Sequence, residues 1–294
     1  MSIGSYLREH GRPLDLHLYE HLFEGASARP FLDALATYQN ADGGFGNALE
    51  PDLRLPDSSV LATIVAFQYL SRVDAPADEL ARPAVRYLLA ARDPALDGWV
   101  NVPPAADQFP RAPWWNYPDV LTWAGWGNPS AEVLGYLLDH RDLVDDDPLL
   151  DRLTERAVHR LHEIADPEHH EIKCFVRLYA RASDSLRSRL REPLAEHIKR
   201  ATTTDPEEWQ GYVATPLTFI TSPDAPFADL FDRDLLLANA RHLRDQMVDD
   251  GHWEPTWEWG QYPEEWARAR VELTGKLTVE HLALLRAFGV SDQG

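Results

Sequence analysis

Two stretches of the chain set carboxylates beside prolines, the second of them among tryptophans. Glu50, Pro51 and Asp52 are followed closely by Arg54 and Asp57, and far along the chain EPTWEW runs from Glu254 to Trp259. A carboxylic acid set among aromatic rings loses the hydration of its charged form. Its pKa then rises, and it becomes a usable general acid. Glu50, Asp52, Asp57 and Glu254 are therefore the candidate catalytic acids. The plainer alternative makes Asp57 a helix cap, with Asp57 or Ser58 at the N-cap position, and leaves Glu50 and Asp52 as solvated loop acids.

The second group is aromatic. Trp99, Phe109, Trp114, Trp115, Tyr117, Trp123 and Trp126 fall within residues 99–126, interleaved with prolines. Ring faces stabilise a cation, and they also bind a sugar ring or a flat apolar ligand. The same rings serve equally well to plug one end of a helical fold. Trp114, Trp115, Trp123, Trp126, Trp257 and Trp259 are the candidate ligand-binding rings, with Arg54 as the nearby cation. Two further clusters read as structural. The acidic run Asp142–Asp147 is a solvated cap before an amphipathic helix. In HHEIKC, His170 and Cys174 are four apart and share a helix face, but a zinc site needs further ligands, so Cys174 reads as a buried thiol. Metal-independent chemistry without a cofactor is the expectation. Arg177, on the same mostly apolar helix, is expected to pair with a buried acid.

The elements that must position these groups are nearly all helices. Apolar residues recur at helical spacing over 31–40, 58–72, 80–92, 130–140, 149–165, 170–182, 185–201, 232–248 and 277–288, and 211–220 is a short apolar run. The segments 58–72, 130–140, 170–182 and 277–288 are mostly apolar, whereas 80–92, 149–165, 185–201 and 232–248 carry a charged face. Such alternation predicts inner helices that meet only protein and outer helices that meet water. The break DGGF at Asp42–Phe45 recurs as DGW at Asp97–Trp99 and as DGHW at Asp250–Trp253. The first two copies lie about fifty residues apart, the length of a helical hairpin. The expected fold is all-α, one domain over residues 1–294, a closed α/α barrel of about five to six helical hairpins. Gln39, Gly43, Phe45, Gln246, Gly251 and Trp253 read as its joints.

At these joints the chain resembles the terpene cyclase and prenyltransferase α/α toroid family, in which a Gln of an outer helix precedes Gly-x-Trp or Gly-x-Phe. QMVDDGHW at Gln246–Trp253 fits that spacing, and QNADGGF at Gln39–Phe45 fits with Phe in place of Trp. The resemblance implies the toroid fold, a small apolar, isoprenoid-type ligand, and acid-initiated cyclisation or isomerisation. The Asp-x-Asp-Asp proton-donor motif of the class II cyclases is absent, and residue 172 is Ile where the prenyltransferase zinc arrangement Asp-x-Cys needs Asp. Two alternatives therefore stand beside the cyclase reading: a non-catalytic ligand- or protein-binding toroid, and a carbohydrate-active α/α-barrel enzyme.

The bulk properties narrow the partners. A formal net charge of −20 over 294 residues repels nucleic acids and anionic membrane surfaces. One cysteine excludes an internal disulfide and a four-thiolate zinc site, and a reducing cytoplasm is the simplest compartment. The N-terminal segment does not read as a signal peptide. No stretch reaches the ~18–20 apolar residues that a membrane span requires.

Overall fold

The computed structural model describes residues 3–117, 119, 125–145 and 147–291. Among these, eleven α-helices alternate with turns, and no strand forms beyond isolated bridges. The contacts divide the chain into two compact units. The first comprises residues 1–84, 102–120 and 241–294, and the second 85–101 and 121–240.

The first unit holds α1 (Ile3–His10), α2 (Pro13–Glu24), α3 (Arg29–Ala36), α4 (Val60–Leu70), the start of α5 (Asp78–Ala90) and, later in the chain, the long helix Pro263–Ala287. Helix α4 is buried on every side, as its unbroken apolar sequence predicts. Its N-cap is Ser59, whose hydroxyl accepts from the Ala62 N–H at 3.0 Å, and not Asp57 or Ser58; Asp57 is exposed. Helices α1 and α2 have no counterpart in the periodicity reading. The helix Pro263–Ala287 starts well before residue 277, because Pro263 at its first turn and Glu264 and Glu265 beside it make a good helix start in a stretch too charged to look apolar.

The second unit holds α6 (Gly127–Asp139), α7 (Asp147–Glu163), α8 (His169–Arg181), α9 (Asp184–Ala201) and most of α10 (Arg233–Asp245); Pro263–Ala287 is α11. Helix α6 is buried from Gly127 to Leu137 and packs chiefly on α8. Helix α8 buries one face only, through Ile172, Cys174, Phe175 and Leu178, and is not apolar throughout. The run 211–220 contains a 3-10 turn at Pro216–Thr218 rather than a helix.

The three glycine-aromatic joints share one hydrogen bond. The backbone N–H of the aromatic residue donates to a hydroxyl on the buried helix that follows: Phe45 to Thr63 Oγ1 at 3.0 Å, Trp99 to Ser130 Oγ at 3.0 Å, and Trp253 to Thr278 Oγ1 at 3.2 Å. The two tryptophans add an indole N–H bond to the preceding helix, Trp99 to Leu88 O at 2.6 Å and Trp253 to Leu243 O at 2.7 Å. Gln39 bridges the Gly43 and Leu80 carbonyls at 2.9 Å each, as a joint residue should. Gly43 sits at φ 88°, and a Cβ there would lie 2.5 Å from the Pro83 carbonyl oxygen, so only glycine fits. Gln246 departs from the pattern and contacts His242 instead.

Candidate active site

The segment 46–59 lies across the first unit in a fixed path. Leu49, Leu53 and Leu55 are buried and anchor it. Gly46 permits its entry, since a Cβ there would meet the Asp57 and Pro56 carbonyls at 2.3 and 2.4 Å. A short antiparallel contact then ties the segment to residues 110–112: Arg54 N–H donates to Pro110 O at 2.9 Å, and Ala112 N–H donates to Asp52 O at 2.9 Å. Gln261 binds the Arg111 carbonyl at 2.8 Å, which brings the 254–261 segment to the same place.

Asp52 lies where these three segments meet. It is 5% exposed. The Trp259 indole N–H donates to Asp52 Oδ1 at 2.7 Å, joining residues 207 apart in the chain. Trp257 Nε1 is buried close enough to favour the charged carboxylate, yet lies short of hydrogen-bond geometry. Behind Trp259, Ala112 and Ala269 form a small core against which Trp114, Trp115 and Trp266 pack.

Burial pushes the Asp52 carboxyl up to about 7, and the neighbouring Glu50 charge adds to the rise; the two indoles and Lys276 pull the other way without prevailing. Burial also raises Glu50, against the pull of Lys276 and Arg12. Glu50 accepts the Asp52 backbone N–H at 3.4 Å. Two adjacent carboxyls whose pKa values are both raised share their protons as a pair. On the far side of Glu50, Lys276 and Arg72 bind Glu280 at 3.2 and 3.3 Å. Burial alone would raise Glu280, but these two cations outweigh it and hold the carboxyl at about 2. Thus Glu280 is held charged, while the Glu50 and Asp52 carboxyls are both held toward their protonated forms.

The other expected site residues divide. Trp257 and Trp259 reach Asp52, and Trp114 and Trp115 pack behind it. Arg54 is bound to Glu272 by two bonds, at 2.5 and 3.0 Å, so its charge is already matched within the fold. Glu254 is 42% exposed and paired with Arg270 at 2.6 Å, a solvated acid rather than a buried one. It lines an open groove of about 560 Å³ with Pro255, Thr256, Trp257, Glu258, Trp266 and Arg270. Asp57 stands apart in solvent. Trp126 belongs to the second unit, where it donates to Asp97 O at 3.1 Å, carries Arg156 over its ring, and lines a second groove along α7. Trp123 lies outside the described residues.

Two residues that sequence reading left out matter at the site: Glu280 and Trp266. Lys276 and Glu280 stand four apart on α11, a spacing that marks an ion pair but does not reveal its facing carboxyls. In the second unit Arg177 pairs with the buried Glu132 at 2.8 Å, as an arginine on an inner face must. Cys174 is a buried thiol directed at Glu132 and Asn128, while His170 turns to Glu168, so the two do not form a joint site.

No family model matches the chain, and no curated protein matches it either. Among the described residues, no helix is long and apolar enough to cross a membrane.

Proposed function

We propose that the chain is a small α/α toroid of the terpene cyclase type, in which Asp52 gives the proton that starts cyclisation or isomerisation of an isoprenoid or other apolar ligand. The observation that carries this reading is the Asp52 carboxyl itself, buried, poised at about 7 and bonded to the Trp259 indole N–H. With Oδ1 accepting from that donor, Oδ2 is the oxygen left to carry the proton, and the acid is oriented. A closed barrel is supported by the joint that recurs three times with the same N–H to hydroxyl bond. A donor with pKa near the working pH is matched to protonating an oxygen, whereas an alkene carbon demands a stronger acid. The substrate that fits best is therefore an oxygenated isoprenoid, such as an epoxide, without a diphosphate that the acidic chain would repel.

One observation favours a second reading. The groove that Trp257 shares with the acid site is rimmed by Glu254, Glu258 and Arg270 and floored by two indoles, a set of groups suited to a sugar ring. Asp52 would then protonate a glycosidic oxygen.

The test is to incubate the chain with farnesyl and geranylgeranyl epoxides and, separately, with a panel of aryl glycosides, and to repeat each with Asp52→Asn. Conversion of an epoxide that Asp52→Asn abolishes supports the first reading. Glycoside cleavage with the same dependence supports the second. Ligand binding without conversion in the native chain would leave a non-catalytic toroid.

A further inference from the structure

We propose that Glu168, His169 and His170, at the start of α8, form a site for a divalent transition-metal ion of the zinc type. It uses none of the residues of the acid site. One ligand atom from each residue lies within 4.8 Å of the other two. His170 Nδ1 stands 2.6 Å and His169 Nδ1 3.3 Å from the same oxygen, Glu168 Oε1. The two imidazole centroids are 4.0 Å apart. Two imidazole nitrogens and one carboxylate oxygen are a zinc donor set that leaves a coordination position open to solvent. All three residues are half-buried, so a metal ion can enter.

The carboxylate is held ready by its second oxygen. Glu168 is the N-cap of α8, and its Oε2 accepts the backbone N–H groups of His170 at 3.0 Å and Glu171 at 3.1 Å. Capping therefore fixes the side chain with Oε1 turned toward both rings. A metal ion on these atoms displaces any hydrogen shared between His170 Nδ1 and Glu168 Oε1, which is released to solvent.

Two features oppose a cation here, and they set the affinity. The helix N-terminus is the positive end of its dipole, and Lys173 stands one turn along the same helix. The Tyr212 ring meets His169 edge-on at 5.6 Å from the neighbouring loop. A nitrogen-bearing donor set against this positive background selects Zn²⁺, Ni²⁺ or Cu²⁺ over Mg²⁺ or Ca²⁺, which need more oxygen ligands.

The test is calorimetric titration of Zn²⁺ into the full chain, prepared without a histidine tag, at pH ~7. The comparison variants are His169→Gln, His170→Gln and His159→Gln, the last being an exposed histidine on α7. One Zn²⁺ per chain is expected, weakened more than about tenfold by either His169→Gln or His170→Gln and unchanged by His159→Gln. Co²⁺ bound to the native chain should show visible absorption of mixed nitrogen and oxygen ligation, a readout that does not depend on any variant folding. Zn²⁺ affinity equal in His169→Gln, His170→Gln and the native chain would overturn the proposal. So would native-chain binding no tighter than roughly millimolar.

Discussion

Replacing Asp52 by Asn should make the folded chain more stable at pH 8 than the native chain, and the advantage should disappear in acid. In the folded state burial and Glu50 lift the Asp52 carboxyl from its ordinary 3.8 to about 7. Between those values the folded chain holds a proton that the unfolded chain has already released. Stability therefore falls as pH rises, by ~1.36 kcal/mol for each unit. Over the full window the loss amounts to ~4 kcal/mol at most, and proton sharing with Glu50 reduces it toward ~2 kcal/mol. Asn has the same shape, keeps an oxygen to accept the Trp259 N–H, and never ionises. Urea unfolding of both proteins from about pH 4.5 to about pH 8 is the assay, with the difference in stability as the readout. The expected result is a difference that moves in favour of Asn with rising pH and levels off above pH ~7. A difference flat to within ~1 kcal/mol, or one that moves in favour of Asp as pH rises, would refute the claim that Asp52 is a neutral buried acid.

Trp259→Phe keeps the packing against Ala112 and Ala269 but removes the donor to Asp52. The charged carboxylate loses a hydrogen bond, so the carboxyl should titrate at a still higher pH, by about one unit, in a pH-stability comparison with the native chain. Thr63→Val and Thr278→Val each leave the backbone N–H of a buried aromatic residue without its acceptor, and each should cost ~1–3 kcal/mol in urea unfolding. Valine of the same shape rules out a cavity as the cause. Glu272→Gln leaves Arg54 with a half-buried charge and should cost ~1–3 kcal/mol, without changing the affinity of any ligand that binds at Asp52.

The helices buried on every side, α4 and α6, were legible because no polar face interrupts their apolar pattern. The glycine joints were legible too, since a glycine followed by an aromatic residue after a helix leaves few conformations open. Their hydroxyl partners were not: Thr63, Ser130 and Thr278 look like ordinary helix residues until the fold brings the aromatic N–H to them. Asp52 stands out in the sequence through its Glu-Pro-Asp segment in the connection that leads into the buried helix. Its partner Trp259 was named for its ring, but the contact between them spans 207 residues, and no local pattern encodes which loops meet. Closeness in sequence misled in one place. Trp126 reads as one of the Trp-rich run, yet it packs under Arg156 of α7. The long N-terminal half of α11 was hidden by its charge, because periodicity of apolar residues is the main signal and that stretch has little of it.

The measurement that bears most directly on this account is the titration of the Asp52 carboxyl by carbon NMR of the chain labelled at its aspartate carboxyls, with Asp52→Asn to assign the signal. One aspartate signal should remain protonated well above the others, titrate with a midpoint at about 7, and vanish in Asp52→Asn. An Asp52 signal that titrates below about 5, in the ordinary carboxylate range, would contradict it.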